Sequence, residues 1–133
     1  MSYKLYLDDR RNPKASYDKT KNKIYLEDWV VVRNYNEFVA MITSGGIPEI
    51  ISFDHDLAEE HLIYFFENRG HKNPPDPLNV NFSEKTGYDC ALWLLDLCEA
   101  HNMKFPDFLI HSANPIGSSN ISNLILTRTS FES

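Results

Sequence analysis

The chain has 133 residues, of which 42% are hydrophobic and 24% are charged; this composition fits one globular domain and argues against a fibrous or wholly disordered chain. The formal net charge of -6 argues against a broad nucleic-acid surface, because phosphate backbones are bound by clustered Lys and Arg. No apolar run approaches the roughly 20 residues that cross a bilayer, and the first residues do not resemble a signal peptide. We therefore expect a single cytoplasmic domain over residues 1–133, without membrane contact.

Predicted strands and helices alternate along the first part of the chain. The segments YKLYLDD, WVVVRNY and PEIISF are rich in alternating or β-branched apolar residues and predict three strands. Between the first two, the polar segment RRNPKASYDKTKNK contains Pro13 and predicts a loop, with KIYLE as a short hairpin arm. The segment NEFVAMITSGG predicts a helix that Asn36 caps and that Gly45 and Gly46 end.

The second part of the chain begins with a segment at about 58–83 that has the composition of an insertion. LIYFFE is compatible with a helical turn or a strand, and NRGHKNPPDPLN predicts an exposed excursion that serves as a lid or a partner-binding arm. TGYDCALWLLDLCEAHN predicts the strongest helix, with Thr86 and Asp89 at capping-box spacing. DFLIHSANP predicts a fourth strand, and SSNISNLILTR predicts a last helix that Ser118 or Ser119 caps.

Strands that alternate with helices pair in parallel through right-handed crossovers, so the sequence predicts an α/β sheet covered on both faces. The carboxyl ends of such strands share one edge of the sheet, which is where ligands bind. Three of the predicted strands end in polar residues, which should meet at this edge: Asp8, Asp9, Asp54, Asp56, His111, Ser112 and Asn114.

Several carboxylates placed close together repel one another unless a cation neutralises them. Asp8, Asp9 and Asp54 therefore predict a site for Mg²⁺ or Mn²⁺, which favour oxygen ligands. Any one of these aspartates is equally compatible with a simple turn after a strand. Of the two nearby histidines, His111 is the better candidate for catalysis, and His55 is interpreted as a solvated partner of the acids beside it.

Two further features suit a phosphate group. The segment SANPIGSSN places a turn before a helix start, where backbone N–H groups and the helix dipole favour anions, although it also suits a plain turn. Arg10 and Arg11 follow the acid pair, and guanidinium groups bind both carboxylates and phosphates. We expect at least one of these arginines to be an ordinary surface residue.

The acid pair Asp8 and Asp9, together with Asp54 and Ser112, resembles the response-regulator receiver domain, which has a Mg²⁺-dependent phosphoacceptor aspartate. The wider set LDDRRNP, ISFDHDL, TGYDCALWL and HSANPIG more closely resembles the cyclic-phosphate processing receiver-like family. This family is a receiver offshoot proposed to act on cyclic phosphates or nucleotides. The resemblance implies a receiver-like (flavodoxin-like) three-layer sandwich with a mainly parallel sheet of about four strands.

The sequence departs from the receiver pattern at both ends. A receiver normally has a fifth strand that ends in a lysine, but here no fifth strand is predicted and no lysine follows Lys104. The first crossover segment is also a poor helix former. The missing lysine argues against phosphoryl switching of the ordinary receiver kind.

The first hypothesis is a metal-dependent phosphoesterase, or a related enzyme, that processes a cyclic phosphate or nucleotide. It assigns the metal to Asp8, Asp9 and Asp54 and acid–base catalysis to His111, while Asp54 is alternatively a nucleophile. Residues assigned to phosphate or substrate binding are Arg10, Asp56, Ser112 and Asn114.

The second hypothesis is a non-enzymatic module that binds a phosphate-bearing ligand, or is phosphorylated on Asp54, and signals to a partner. The third is a scaffold in which the acids hold a structural cation. A small stand-alone domain of this kind fits a bacterial or phage source.

Overall fold

The computed structural model describes residues 2–68 and 76–130. They form a parallel sheet of order β2-β1-β3-β4, built from β1 (Lys4–Leu7), β2 (Val30–Val32), β3 (Ile50–Phe53) and β4 (Asp107–Ile110). The helices are α1 (Pro13–Thr20), α2 (Tyr35–Gly45), α3 (Glu59–Asn68), α4 (Gly87–Ala100) and α5 (Pro115–Thr129). This confirms the predicted receiver-like α/β fold, and the described residues contain no fifth strand, as expected.

The two faces of the sheet are covered differently, because successive strand residues point to opposite sides. One face carries Leu5, Leu7, Ile51 and Phe53, which pack with residues of α2, α4 and α5 in the main hydrophobic core. The opposite face carries Tyr6 and Ser52. The hydroxyl of Tyr6 hydrogen-bonds to Ser16 of α1, and the hydroxyl of Ser52 hydrogen-bonds to Tyr25 in the short 3₁₀ helix that follows α1. Helix α5 therefore lies on the same side of the sheet as α4, away from α1.

The register of the strands brings the polar strand ends together. Leu7 of β1 pairs with Phe53 of β3, and Phe53 pairs with Ile110 of β4. The next residues along these strands are Asp8, Asp54 and His111, which therefore lie side by side at the carboxyl edge of the sheet. This is the convergence that the alternation of strands and helices predicted.

The segment between β1 and β2 is helical, so the prediction of a loop with a hairpin arm is wrong. Pro13 begins α1 because a proline at the first helical position needs no hydrogen-bond donor and already has a helical φ. The KIYL segment forms a 3₁₀ helix, Lys23–Leu26, and its Tyr25 is buried against the face of the sheet that carries Ser52. The composition of α1 is unfavourable for an isolated helix, so packing decides its conformation.

Two of the predicted helix caps are also wrong. Asn34, not Asn36, caps α2, since its side-chain oxygen accepts a hydrogen bond from the N–H of Glu37 at 2.8 Å. Asn114, rather than Ser118 or Ser119, caps α5. The capping box of α4 is confirmed: Thr86 and Asp89 bond as their spacing indicated.

The segment predicted as an insertion begins with helix α3, so LIYFFE is helical. His61 anchors this helix: its Nδ1 accepts a hydrogen bond from the N–H of Leu57 and its Nε2 donates to the carbonyl of Glu84, each at 2.9 Å. Residues 69–75 of the predicted excursion lie outside the described residues, so its role as a lid or arm stays a prediction. In the described part of the chain, no helix has both the length and the apolarity to cross a membrane.

Candidate functional site

Three buried side chains meet where β1, β3 and β4 end: Asp8, Asp54 and His111. One possible ligand atom from each lies within 4.8 Å of those of the other two. Their relative exposures are 0%, 3% and 6%. Two carboxylates and an imidazole gathered at this distance form a donor set that fits a divalent cation.

Asp8 is the most completely bonded member of this group. Its Oδ1 accepts hydrogen bonds from the backbone N–H groups of Arg10 and Arg11, at 2.9 and 2.8 Å. Its Oδ2 accepts from Nε of Arg11 at 3.0 Å and lies 3.1 Å from Nε2 of His111. Burial alone would raise the pKa of Asp8, but the bonds from His111 and the backbone outweigh it and hold the pKa well below its usual range. Asp8 is therefore ionised.

Asp54 is much less well stabilised as an anion. Its Oδ1 accepts from the N–H of His55 at 2.8 Å, whereas its Oδ2 accepts no hydrogen bond from the described residues. The nearest cation is Arg11, whose Nη2 lies 3.6 Å from Oδ2. Burial, and next the charge of Asp8, raise the pKa of Asp54 to about 7. A cation placed between Asp8 and Asp54 would favour its ionised form.

His111 is held from both sides of its ring. Its Nδ1 lies 2.7 Å from the hydroxyl oxygen of Ser52, which in turn lies 2.7 Å from the hydroxyl of Tyr25. The ring stacks on Tyr6 with centroids 4.3 Å apart. Burial lowers the pKa of His111 despite the opposing bond to Asp8, so the ring is neutral near pH 7. In this state Ser52 donates to Nδ1 and Nε2 donates to Asp8.

A second polar cluster lies beside the first. Nδ1 of His55 lies 2.8 Å from Oδ1 of Asp56, and Nδ2 of Asn114 donates to the same oxygen at 3.3 Å. The interpretation of His55 as a solvated residue is wrong, because Asp54, His55 and Asp56 are all at most 4% exposed. These groups are buried because they bond to one another and to the start of α5, which satisfies them without water.

The start of α5 offers fewer free donors than its sequence suggested. Pro115 has no N–H group, and the N–H of Gly117 donates to Oδ1 of Asn114 at 3.0 Å. The ring of His55 also packs directly against Gly117. This helix start mainly positions His55 and Asn114, so its value as an anion site is reduced.

The other predicted site residues lie around this centre. Asp9 is half-buried outside the group of three, and its Oδ1 lies 3.9 Å from Nε of the exposed Arg10. Ser112 is half-buried, and its hydroxyl oxygen accepts from the N–H of Asn114 at 3.1 Å. The roles assigned to these residues stay predictions, but Arg11, rather than Arg10, is the arginine that contacts the central carboxylates.

Arg33 is a site residue that sequence reasoning missed. It follows β2 and donates to the carbonyls of Asp8 and Arg11, at 3.1 and 2.6 Å, and to Oδ1 of Asn12 at 2.7 Å. It thereby fixes the loop that carries the acid pair. The sequence offers no signal for this contact, whereas Ser52, a polar residue within an otherwise apolar strand, is a signal that could have been read.

Comparison with known proteins agrees with this geometry. The family model of the cyclic-phosphate processing receiver domain matches residues 3–127. That range contains all four strands, the three residues of the central group and the Asp56–Asn114 cluster. No curated protein and no solved structure matches the chain. Since the family model spans nearly the whole sequence, the chain belongs to the family of cyclic-phosphate processing receiver domains.

Proposed function

We propose that the protein is a metal-dependent phosphoesterase that opens a cyclic phosphate, either free or on a nucleotide. The observation that carries this proposal is the state of Asp54: a buried carboxylate whose Oδ2 lacks a hydrogen bond while facing a second, ionised carboxylate. Arg11, whose Nη2 lies 3.6 Å from Oδ2 of Asp54, neutralises this pair only in part, so a further cation would stabilise it. Relief of the repulsion between the two carboxylates would contribute to the binding free energy of a divalent ion.

In this proposal Asp8, Asp54 and His111 hold the ion. The imidazole makes Mn²⁺ a better fit than Mg²⁺, which prefers a set made of oxygen ligands only. Bound there, the ion would supply Lewis-acid polarisation of a phosphoryl oxygen and would lower the pKa of a water molecule. For Nε2 of His111 to become a ligand, its proton must move to Nδ1. The neighbouring Ser52 hydroxyl can accept that bond by rotating.

The residues around the ion would bind and orient the phosphate. Arg11 now lies against Asp8 and Asp54, and neutralising these acids would leave its guanidinium available to phosphoryl oxygens. The hydroxyl hydrogen of Ser112 donates to no described residue, so it is available to a ligand. Arg33 keeps the loop of Asp8 and Arg11 in place, which limits the reorganisation that binding requires.

The alternative, a receiver-like module phosphorylated on Asp54, is less well supported. The side chain of Asp54 is 5% exposed, so a phosphoryl donor would reach it only after the site opened. The sequence also provides no lysine after Lys104 to take the usual place beside a phosphorylated aspartate. Ligand binding without turnover is the form of this alternative that the geometry permits.

Metal binding and turnover are tested separately. Mn²⁺ binding is measured by electron paramagnetic resonance of the free ion for the wild type, Asp54→Ala and the control Asp107→Ala. Asp107 is an exposed aspartate at the opposite end of β4. We expect Asp54→Ala to weaken Mn²⁺ binding at least tenfold and Asp107→Ala to leave it unchanged. Equal binding by all three proteins would overturn the metal site.

Turnover is then followed by mass spectrometry with a panel of cyclic and linear nucleotides in the presence of Mn²⁺. We expect a cyclic substrate to gain the mass of one water, and Asp54→Ala to abolish the product. His111→Ala separates the two roles of that residue: a ligand loses Mn²⁺ binding, whereas a proton carrier retains Mn²⁺ binding and loses turnover. Tight binding without any product in the wild type would favour the non-enzymatic module.

A further inference from the structure

A cavity of about 170 Å³ opens beside the proposed metal site, between α1 and the end of β4. It shares Arg11, His111 and Ser112 with that site and extends from them along α1. Its remaining lining residues are Ala15, Ser16, Lys19, Thr20 and Ile110. A ligand bound at the metal would therefore have this cavity as its immediate neighbour.

The topology of the chain explains why this space is open. β4 is an edge strand among the described residues, and α5, which follows it, packs with α4 on the other face of the sheet. No described part of the chain after β4 covers the side of β4 that faces α1. A fifth strand beside β4 would place its own side chains here, so the four-stranded sheet leaves room for a ligand.

The charge of the cavity is unusual for this acidic chain. Lys19 and Arg11 line the cavity, Arg11 while paired with Asp8 and Asp54, and none of the described lining residues carries a carboxylate. The sequence as a whole has a net charge of -6. Lys19 is exposed and forms no ion pair with the described residues, so its ammonium group is available. A cation-lined space next to a phosphate-processing site favours a second anionic group.

The volume limits what this group can be. Pockets that enclose a whole drug-sized ligand measure roughly 300–1,000 Å³. A cavity of about 170 Å³ accepts a phosphate, with or without its sugar carbon, but not a nucleobase as well. We propose that this α1–β4 cavity binds a second phosphate of the substrate, distinct from the phosphate that reacts at the Asp8–Asp54 site. The proposal rests on the proposed function and narrows its substrate to phosphate esters that carry a further phosphate group.

The test compares two probes that differ only in this group: 2′,3′-cyclic AMP and the same nucleotide with an added 5′-phosphate. With Mn²⁺ present, affinities are measured for the wild type, Lys19→Ala and Lys14→Ala as Michaelis constants from initial rates, or by calorimetry if no product forms. Lys14 is a matched control, because it is an exposed lysine on α1 that does not line the cavity and pairs with Asp18 at 3.3 Å. We expect the 5′-phosphate to tighten binding about three- to tenfold in the wild type and in Lys14→Ala, but not in Lys19→Ala.

Equal affinities of the two probes for the wild type would overturn the proposal. It would also be overturned if Lys19→Ala and Lys14→Ala lost the tighter binding of the 5′-phosphate probe to the same extent. In those cases the metal site would stand, because binding of the cyclic phosphate itself would persist. If neither probe bound and Mn²⁺ alone also failed to bind, the proposed function would have failed and the cavity proposal with it. With diamagnetic Mg²⁺ in place of Mn²⁺, changes in the backbone amide chemical shifts of Ala15, Thr20 and Ile110 that only the probe with the 5′-phosphate causes would further support occupation of the cavity.

Discussion

The ring of His55 lies against Gly117 so closely that a Cβ atom added to the glycine would come within 2.7 Å of Nδ1 of His55. The loop after β3 and the first turn of α5 are therefore fitted to each other. Gly117→Ala should force His55 away from Asp56. We expect a loss of about 1–3 kcal/mol in the free energy of unfolding, measured with urea, although alanine is ordinarily better than glycine inside a helix.

Gly45→Ala is the control for this substitution. Gly45 lies in the last turn of α2. Its added Cβ would come too close only to the terminal methyl of Met41, at 2.7 Å, which can move away, and would make ordinary contact with the ring of Tyr3. The free energy of unfolding of Gly45→Ala should therefore differ from that of the wild type by less than about 1 kcal/mol. A Gly117→Ala variant as stable as the wild type would show that the packing around His55 is looser than described.

Asp54 should make the stability of the metal-free protein depend on pH. Its pKa is raised from the ordinary value of 3.8 to about 7 in the folded state, so the folded protein binds the proton more tightly than the unfolded chain does. The free energy of unfolding attributable to this group therefore falls as the pH rises from about 4 to 7. Since one pKa unit corresponds to about 1.4 kcal/mol, Asp54→Asn should stabilise the protein by a few kcal/mol at pH 8 in EDTA.

The same comparison at pH 4 should show almost no difference, because Asp54 is then protonated in the folded protein. Thermal unfolding of wild type and Asp54→Asn at both pH values measures this, with the exposed residue in Asp107→Asn as the control. Adding Mn²⁺ at pH 8 should reverse the order of stability, since only the wild type retains the carboxylate. An effect of Asp54→Asn that is the same at pH 4 and pH 8 would contradict the raised pKa.

The sequence was sufficient to predict the sheet and the residues at its carboxyl edge, because strand periodicity and parallel pairing determine where strand ends meet. Asp8, Asp54 and His111 were found in this way. Burial of His55 and Asp56 was not predicted, since it depends on contacts with Asn114 and Gly117, about 60 residues later in the chain. Local composition also failed to predict α1, which is held to the sheet by the buried hydrogen bond between Ser16 and Tyr6 rather than formed by its own propensity.

Arg33 should act as a positioning residue for the loop of Asp8 and Arg11. Arg33→Gln removes the guanidinium group that donates three hydrogen bonds to this loop. We therefore expect a loss of about 2–3 kcal/mol in the free energy of unfolding and a roughly tenfold weaker affinity for Mn²⁺. Both are measured on the same preparation, by urea unfolding and by Mn²⁺ titration. Arg128→Gln, which breaks only surface ion pairs with Asp96 and Glu99, should leave the Mn²⁺ affinity unchanged. Unchanged Mn²⁺ affinity in folded Arg33→Gln would remove Arg33 from the site.

The hydroxyls of Ser52 and Tyr25 should act on His111 as one unit. Ser52→Ala leaves both Nδ1 of His111 and the hydroxyl of Tyr25 without their partner, and we expect it to cost about 1–3 kcal/mol. Adding Tyr25→Phe removes the stranded hydroxyl, so the double variant should be more stable than the sum of the single effects by about 1 kcal/mol. Tyr3→Phe serves as the control partner, because its hydroxyl bonds to the exposed carbonyl of Gly46, and its effect should add to that of Ser52→Ala. Strict additivity of Ser52→Ala and Tyr25→Phe would mean that the chain of hydroxyls does not hold His111, and the ring would then depend on Asp8 and Tyr6 alone for its orientation.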